Sequence, residues 1–121
     1  MNREARVEDR RKLKRRYLMF YSRVYDRKSG RLIGHLSDLT VEGLMIIGEE
    51  QTEIHRRYVL SMDLPEDIFG KPHMTFEADA RWCQRDVDPA FYNSGWHLEK
   101  IAPEDVEIIE RIIEAYGFRD G

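Results

Sequence analysis

Apolar residues recur at every second position through long stretches of this chain. From Met74 to Trp82 the alternation is strict: Met74, Phe76, Ala78, Ala80 and Trp82 share one face of an extended segment, and Thr75, Glu77, Asp79 and Arg81 share the other. Tyr58, Leu60, Met62 and Leu64 repeat the pattern until Pro65 ends it. Tyr17 to Tyr25 is dense in aromatic and β-branched residues. Arg31 to Leu39, Gly43 to Ile47 and Tyr92 to Ile101 also have strand character. The last run is interrupted by Ser94-Gly95, where a bulge or a close backbone approach is expected.

The connections between these runs are short. Asp26 to Gly30 and Thr40 to Gly43 read as turns, with positive φ expected at Gly30 and Gly43. Glu49 to Glu53 and Pro65 to His73 read as loops, the second the longest, and Asp86 to Pro89 as a turn. After Ile101 the period changes. Pro103 suits a first helical position, Glu104 and Asp105 suit the positive end of the helix dipole, and Gly117 suits its stop. Val106, Ile109, Ile113 and Tyr116 form an apolar stripe, with Ile112 beside it. Six strands in hairpin order and one helix predict a mainly β fold, a six-stranded antiparallel β-barrel with a C-terminal α-helix.

Charge divides the chain. Residues 1–31 carry 12 Lys/Arg against 4 Asp/Glu, a balance of +8; residues 32–121 carry 8 against 19, a balance of −11. An acidic body with a basic arm predicts an anionic ligand held at the arm. Residues 1–9 lack strand periodicity and are assigned to a flexible arm, and 10–121 to one domain. No apolar run approaches the ~20 residues of a membrane span, so no membrane insertion is expected. A single cysteine, Cys83, fits a reducing cytoplasm and reads as a half-buried structural thiol. His35, His55, His73 and His97 are scattered, with no pair at metal-ligand spacing, so no metal is expected. No catalytic constellation is visible, and an enzyme is not expected.

Two motifs carry the chemistry. The cluster Arg10-Arg11-Lys12-Leu13-Lys14-Arg15-Arg16 precedes the first strand-like run; arginine forks suit phosphates and the acceptor edge of guanine. Asp38-Leu39-Thr40-Val41-Glu42-Gly43 follows at a turn, offering a carboxylate, a hydroxyl and a glycine. Arg11 and Arg15, with Arg10 before them, then Asp38, Thr40 and Gly43 after a hairpin, resemble the Arg-x-x-x-Arg and Asp/Asn-x-Ser-x-x-Gly motifs of PilZ domains. Ala80-Arg81-Trp82 and Gly95-Trp96-His97-Leu98 look like the later strands of that family. Arg-x-x-x-Arg also fits Arg6/Arg10, Arg23/Arg27 and Arg27/Arg31, and a shift of one would substitute Arg16 for Arg15. The position directly before the first strand selects Arg11/Arg15.

The resemblance implies a split antiparallel barrel with a terminal helix and a receptor for the bacterial second messenger cyclic di-GMP, with no further cofactor. It implies phosphate and guanine contacts for Arg10, Arg11 and Arg15, acceptance from guanine N–H groups by Asp38, donation by Thr40, and a turn at Gly43. By residue type alone the same positions read as a solvated basic tail, a turn cap, a strand-end residue and a turn glycine. Thr40 stands where the family most often has Ser, and its methyl adds bulk at the ligand. Trp82 and Trp96 are expected in the core rather than stacked on a base. The expected output is contact with an unidentified downstream protein. The alternatives are a PilZ-fold adaptor that binds no nucleotide and a nucleic-acid-binding barrel, which the acidic body disfavours.

Overall fold

The computed structural model describes residues 22–116. Six strands are present: β1 (Arg23–Asp26), β2 (Leu32–Leu39), β3 (Gly43–Gly48), β4 (Arg56–Asp63), β5 (His73–Arg85) and β6 (Tyr92–Lys100). A one-turn helix α1 (Glu66–Phe69) joins β4 to β5, and α2 (Pro103–Tyr116) follows β6. The strands close into a barrel in the order β1-β2-β3-β6-β5-β4, every pair antiparallel, with β1 bonded back to β4. Closure leaves no open sheet edge, which is how a small all-antiparallel sheet satisfies its backbone.

The period-two segments put their apolar faces inside. Tyr58, Leu60 and Met62 of β4 and Met74, Phe76, Ala78 and Ala80 of β5 are buried. The two alanines make room for rings: Ala78 lies opposite Tyr58, and Ala80 opposite Trp96. Tyr58 and Trp96 meet edge to face, with centroids 5.0 Å apart at 70°. Their polar ends are satisfied. Tyr58 Oη donates to the Glu53 carbonyl at 3.0 Å, and Trp96 Nε1 donates to Ser94 Oγ at 2.9 Å.

Helix α2 joins this core through Ile108, Ile109 and Ile112. The buried face is therefore rotated from the expected stripe, leaving Val106, Ile113 and Tyr116 half-buried at its margins. The cause is Asp105, itself buried, whose carboxylate accepts from Lys71 Nζ at 2.7 Å. Positions 105, 108, 109 and 112 make one helical face. Arg111 stacks over Phe69, 4.7 Å from the ring centroid, and ties the same helix to α1. The segment expected as a loop, Pro65 to His73, thus contains a helical turn, closed by Gly70 at φ 80°.

Two further expectations are corrected. Gly43 is not among the residues with positive φ; those glycines are Gly30, Gly34 and Gly70. Its need for glycine is spatial, because a Cβ there would overlap the carbonyl oxygen of Trp96 on β6. Trp82 is not in the core: it is 37% exposed. A bulge between Ala80 and Trp82 leaves Arg81 as the extra residue of β5 and breaks the alternation there. Strand β6 runs through Ser94-Gly95 unbroken, and Gly95 provides the close approach, to Trp82. The strand expected from Tyr17 is described from Arg23 on; its earlier part, and Gly117, lie outside the described residues.

Phe76→Ala should lower unfolding free energy by about 3–5 kcal/mol, since Phe76 is 3% exposed in a closed barrel; denaturant titration measures it. Asp86 gives a pH signature. The side-chain amide of Asn93, donating at 2.7 Å, holds its carboxyl below the ordinary 3.8. Stability from this contact is complete above that ordinary value and is lost as pH falls through the lower native one. Asp86→Asn should flatten that part of a melting-temperature profile.

Candidate functional site

Asp38, Thr40 and Gly43 come together at the β2–β3 turn, on the rim of a groove of about 270 Å³. The turn is built around the threonine. Thr40 Oγ1 accepts from the amides of Glu42 and Gly43, both at 3.1 Å, and lies 3.4 Å from the Gly43 carbonyl. The Thr40 amide donates to that carbonyl at 2.8 Å, and the Leu98 amide donates to Glu42 O at 2.9 Å, fastening the turn to β6. Asp38 Oδ1 accepts from the Leu39 amide at 2.9 Å. Asp38, expected by residue type to cap the turn, bonds only the adjacent amide, and Thr40, expected as an ordinary strand-end residue, is the one that caps it.

The groove extends beyond the turn, across four neighbouring strands. Asp38 of β2 lies opposite Met45 of β3, Met45 opposite Gly95 of β6, and Gly95 opposite Trp82 of β5. These four positions form one cross-strand row, and all four line the groove. Two bulges aim its ends. On β2 the register shifts between Leu36 and Asp38, leaving Ser37 as the extra residue; Leu36 and Leu39 are both buried, and Asp38 is half-buried between them. On β5 the bulge at Arg81 turns Trp82 out in the same way. On β5 the extra residue is held by charge: Arg81 bridges to Glu99 at 3.4 Å, and Glu99 is itself passed over in the β5–β6 pairing between Leu98 and Lys100.

The groove combines an aromatic surface, an apolar one and two carboxylates. Trp82 supplies a large aromatic surface and Met45 a polarizable apolar one. The charged side chains among its described lining residues are Asp38 and Glu42, both acidic. Carboxylates accept from the N–H groups of a purine edge and repel phosphate. A larger groove, about 620 Å³ between Arg31–His35, Ile47–Glu50 and Phe91, contains none of the predicted site residues. Among the described residues no group of three His, Cys, Asp or Glu stands together as metal ligands, and no helix is long and apolar enough to cross a membrane.

The arginine motif, Arg10, Arg11 and Arg15, lies outside the described residues, so the structure does not join it to this groove. The carbonyl of Ser22, the first described residue, accepts at 2.8 Å from the amide of Leu36, two residues along β2 from Asp38, and Ser22 Oγ donates to the Asp63 carbonyl of β4 at 2.6 Å. Trp82, Met45 and Gly95 were not assigned to a site by sequence reasoning. Ser94-Gly95 marked the close approach, but no sequence signal marked the bulge that exposes Trp82.

No protein-family model matches the chain, and no curated protein matches it in sequence. Solved structures do match its fold. The PilZ domain of YcgR from Escherichia coli, solved with c-di-GMP, superposes with a TM-score of 0.60 at 13% identity, covering 80% of this chain and 81% of that one. The Bacillus subtilis inhibitor of motility MotI/DgrA superposes with a TM-score of 0.57 at 13% identity, covering 84% of this chain; this chain spans about half, 48%, of its length. The barrel with its terminal helix is a PilZ-like fold.

Thr40→Val should cost about 1 kcal/mol, because the Glu42 and Gly43 amides lose their acceptor, whereas Thr40→Ser should leave the melting temperature unchanged. Gly43→Ala should be worse than either, since its Cβ collides with backbone rather than with a movable side chain. Thermal melts of the three variants rank them.

Proposed function

We propose that this protein is a receptor for cyclic di-GMP that passes the signal to a partner protein. The observation that carries the reading is the row Asp38–Met45–Gly95–Trp82, which joins a carboxylate edge to an aromatic surface beside the Asp-x-Thr-x-x-Gly turn. Its two acids suit guanine and not phosphate, so the anionic part of the ligand needs cations from elsewhere. Arg10, Arg11 and Arg15 supply them. Arg15 is seven residues from Ser22, a reach of up to about 25 Å, and Ser22 is fastened beside the Asp38 end of β2. The division of labour is then explicit. Barrel residues read a base, by stacking on Trp82 and by acceptance at Asp38, and arginine forks take phosphate oxygens and the guanine O6/N7 edge. The solved c-di-GMP complex of a protein with this fold supports the same ligand.

One observation favours a second reading, an adaptor of the same fold that binds no nucleotide. The Thr40 hydroxyl already accepts two amides, so the turn is complete without a ligand.

Calorimetric titration of the full chain with cyclic di-GMP, with cyclic di-AMP and GTP as controls, separates the two. The receptor reading expects selective binding. Arg11→Ala and Arg15→Ala should each cost about 1.5–3 kcal/mol, a tenfold or greater loss, with the fold retained. Trp82→Ala should cost about 1–3 kcal/mol, as loss of one stacked base. No heat and no thermal shift with cyclic di-GMP would leave the adaptor reading standing.

A further inference from the structure

Of the four positions in the row, Gly95 carries no side chain, and the space it leaves is filled. A Cβ built on Gly95 would run into Nε1, Cε2 and Cζ2 of Trp82; its three nearest neighbours are all atoms of that one indole. The ring therefore lies across the β6 backbone at Gly95, pointing along the row from β5 toward Met45. Its base is fixed as well. The bulge at Arg81 brings Trp82 to the outer surface, and Arg81 is held by Glu99 at 3.4 Å and approaches Asp79 at 4.0 Å. An aromatic side chain 37% exposed on a barrel wall would ordinarily sample several rotamers. Here the backbone of Gly95 serves as its seat.

We infer that Gly95 is a positioning residue for ligand recognition: it seats the Trp82 indole against the Asp38–Met45–Gly95–Trp82 row, so that the stacking surface is formed before ligand arrives. A pre-set ring loses little rotamer freedom on binding, which raises affinity without adding a contact. The effect on affinity rests on the receptor reading above; the seating of the indole does not.

The test is a double-mutant cycle on the full chain with Gly95→Ala and Trp82→Ala, read in two ways. The chain has two tryptophans, and Trp96 is 4% exposed, so acrylamide quenching of fluorescence reports Trp82. In Gly95→Ala the displaced indole should quench faster than in the parent. Cyclic di-GMP affinity should fall by about tenfold, the scale of one lost stack. In the Trp82→Ala background Gly95→Ala should cost nothing further. Unchanged quenching in Gly95→Ala would overturn the inference, as would a loss of affinity that persists in full without Trp82. If the parent binds no cyclic di-GMP, the receptor reading fails, and quenching alone still decides the seat. If Gly95→Ala does not fold, adding Trp82→Ala should restore folding by removing the collision. A double variant that also fails to fold would overturn the inference.

Discussion

The groove of this barrel depends on two of the places where strand pairing slips by one residue. A regular antiparallel strand sends alternate side chains in and out, and a closed barrel enforces that rule because its inside is a packed core. At Ser37 on β2 and Arg81 on β5 an extra residue interrupts the rule. Beyond each bulge the side chains change faces relative to the run before. Asp38 comes to a groove between the buried Leu36 and Leu39, and Trp82 leaves the apolar row that Met74, Phe76, Ala78 and Ala80 keep inside. Without the slips, a carboxylate and an indole would have been directed into the core, one at a desolvation cost and the other into space already taken by Trp96.

The core tolerates losing Trp82 because its volume is already accounted for. Ala78 and Ala80 are small where Tyr58 and Trp96 are large, and the two rings meet edge to face across the gap. Alternation of large and small residues on facing positions lets side chains interdigitate at the density of a protein interior. The same reasoning applies to α2. Its buried face is decided by three isoleucines and by one ion pair, Asp105 with Lys71, which fastens the helix start to the β4–β5 connection.

Charge is distributed unevenly between two parts of the chain. The groove on the barrel is lined by acids, an aromatic ring and a methionine, and the cations are concentrated before Ser22. A ligand with both bases and phosphates is recognised economically by such a split, because each half would bind the other's target poorly. Ser22, the first described residue, is hydrogen-bonded to Leu36, next to the bulge that aims Asp38.

The sequence by itself determined the strands, the hairpins β1–β2, β2–β3, β4–β5 and β5–β6 and most of the core, but not that β3 pairs with β6 and β4 with β1 rather than with each other. Period-two patterning and turn residues are local signals, and with one face of each strand apolar, barrel closure follows. It also placed Asp38, Thr40 and Gly43 at one turn, because they are close along the chain. What only the tertiary structure decided is where alternation fails. A bulge is set by the partner strand's register and by what fills the opposite side, and neither is encoded within the few residues around Arg81. Trp82 therefore read as core in its own segment, whereas it is a surface residue, and Trp96, on the next strand, occupies the interior opposite Ala80. Gly43 was legible as a glycine position but not for its reason, since the carbonyl it must approach belongs to β6. The helix face, rotated by the Asp105–Lys71 pair, was hidden for the same cause: its partner lies 34 residues away in sequence.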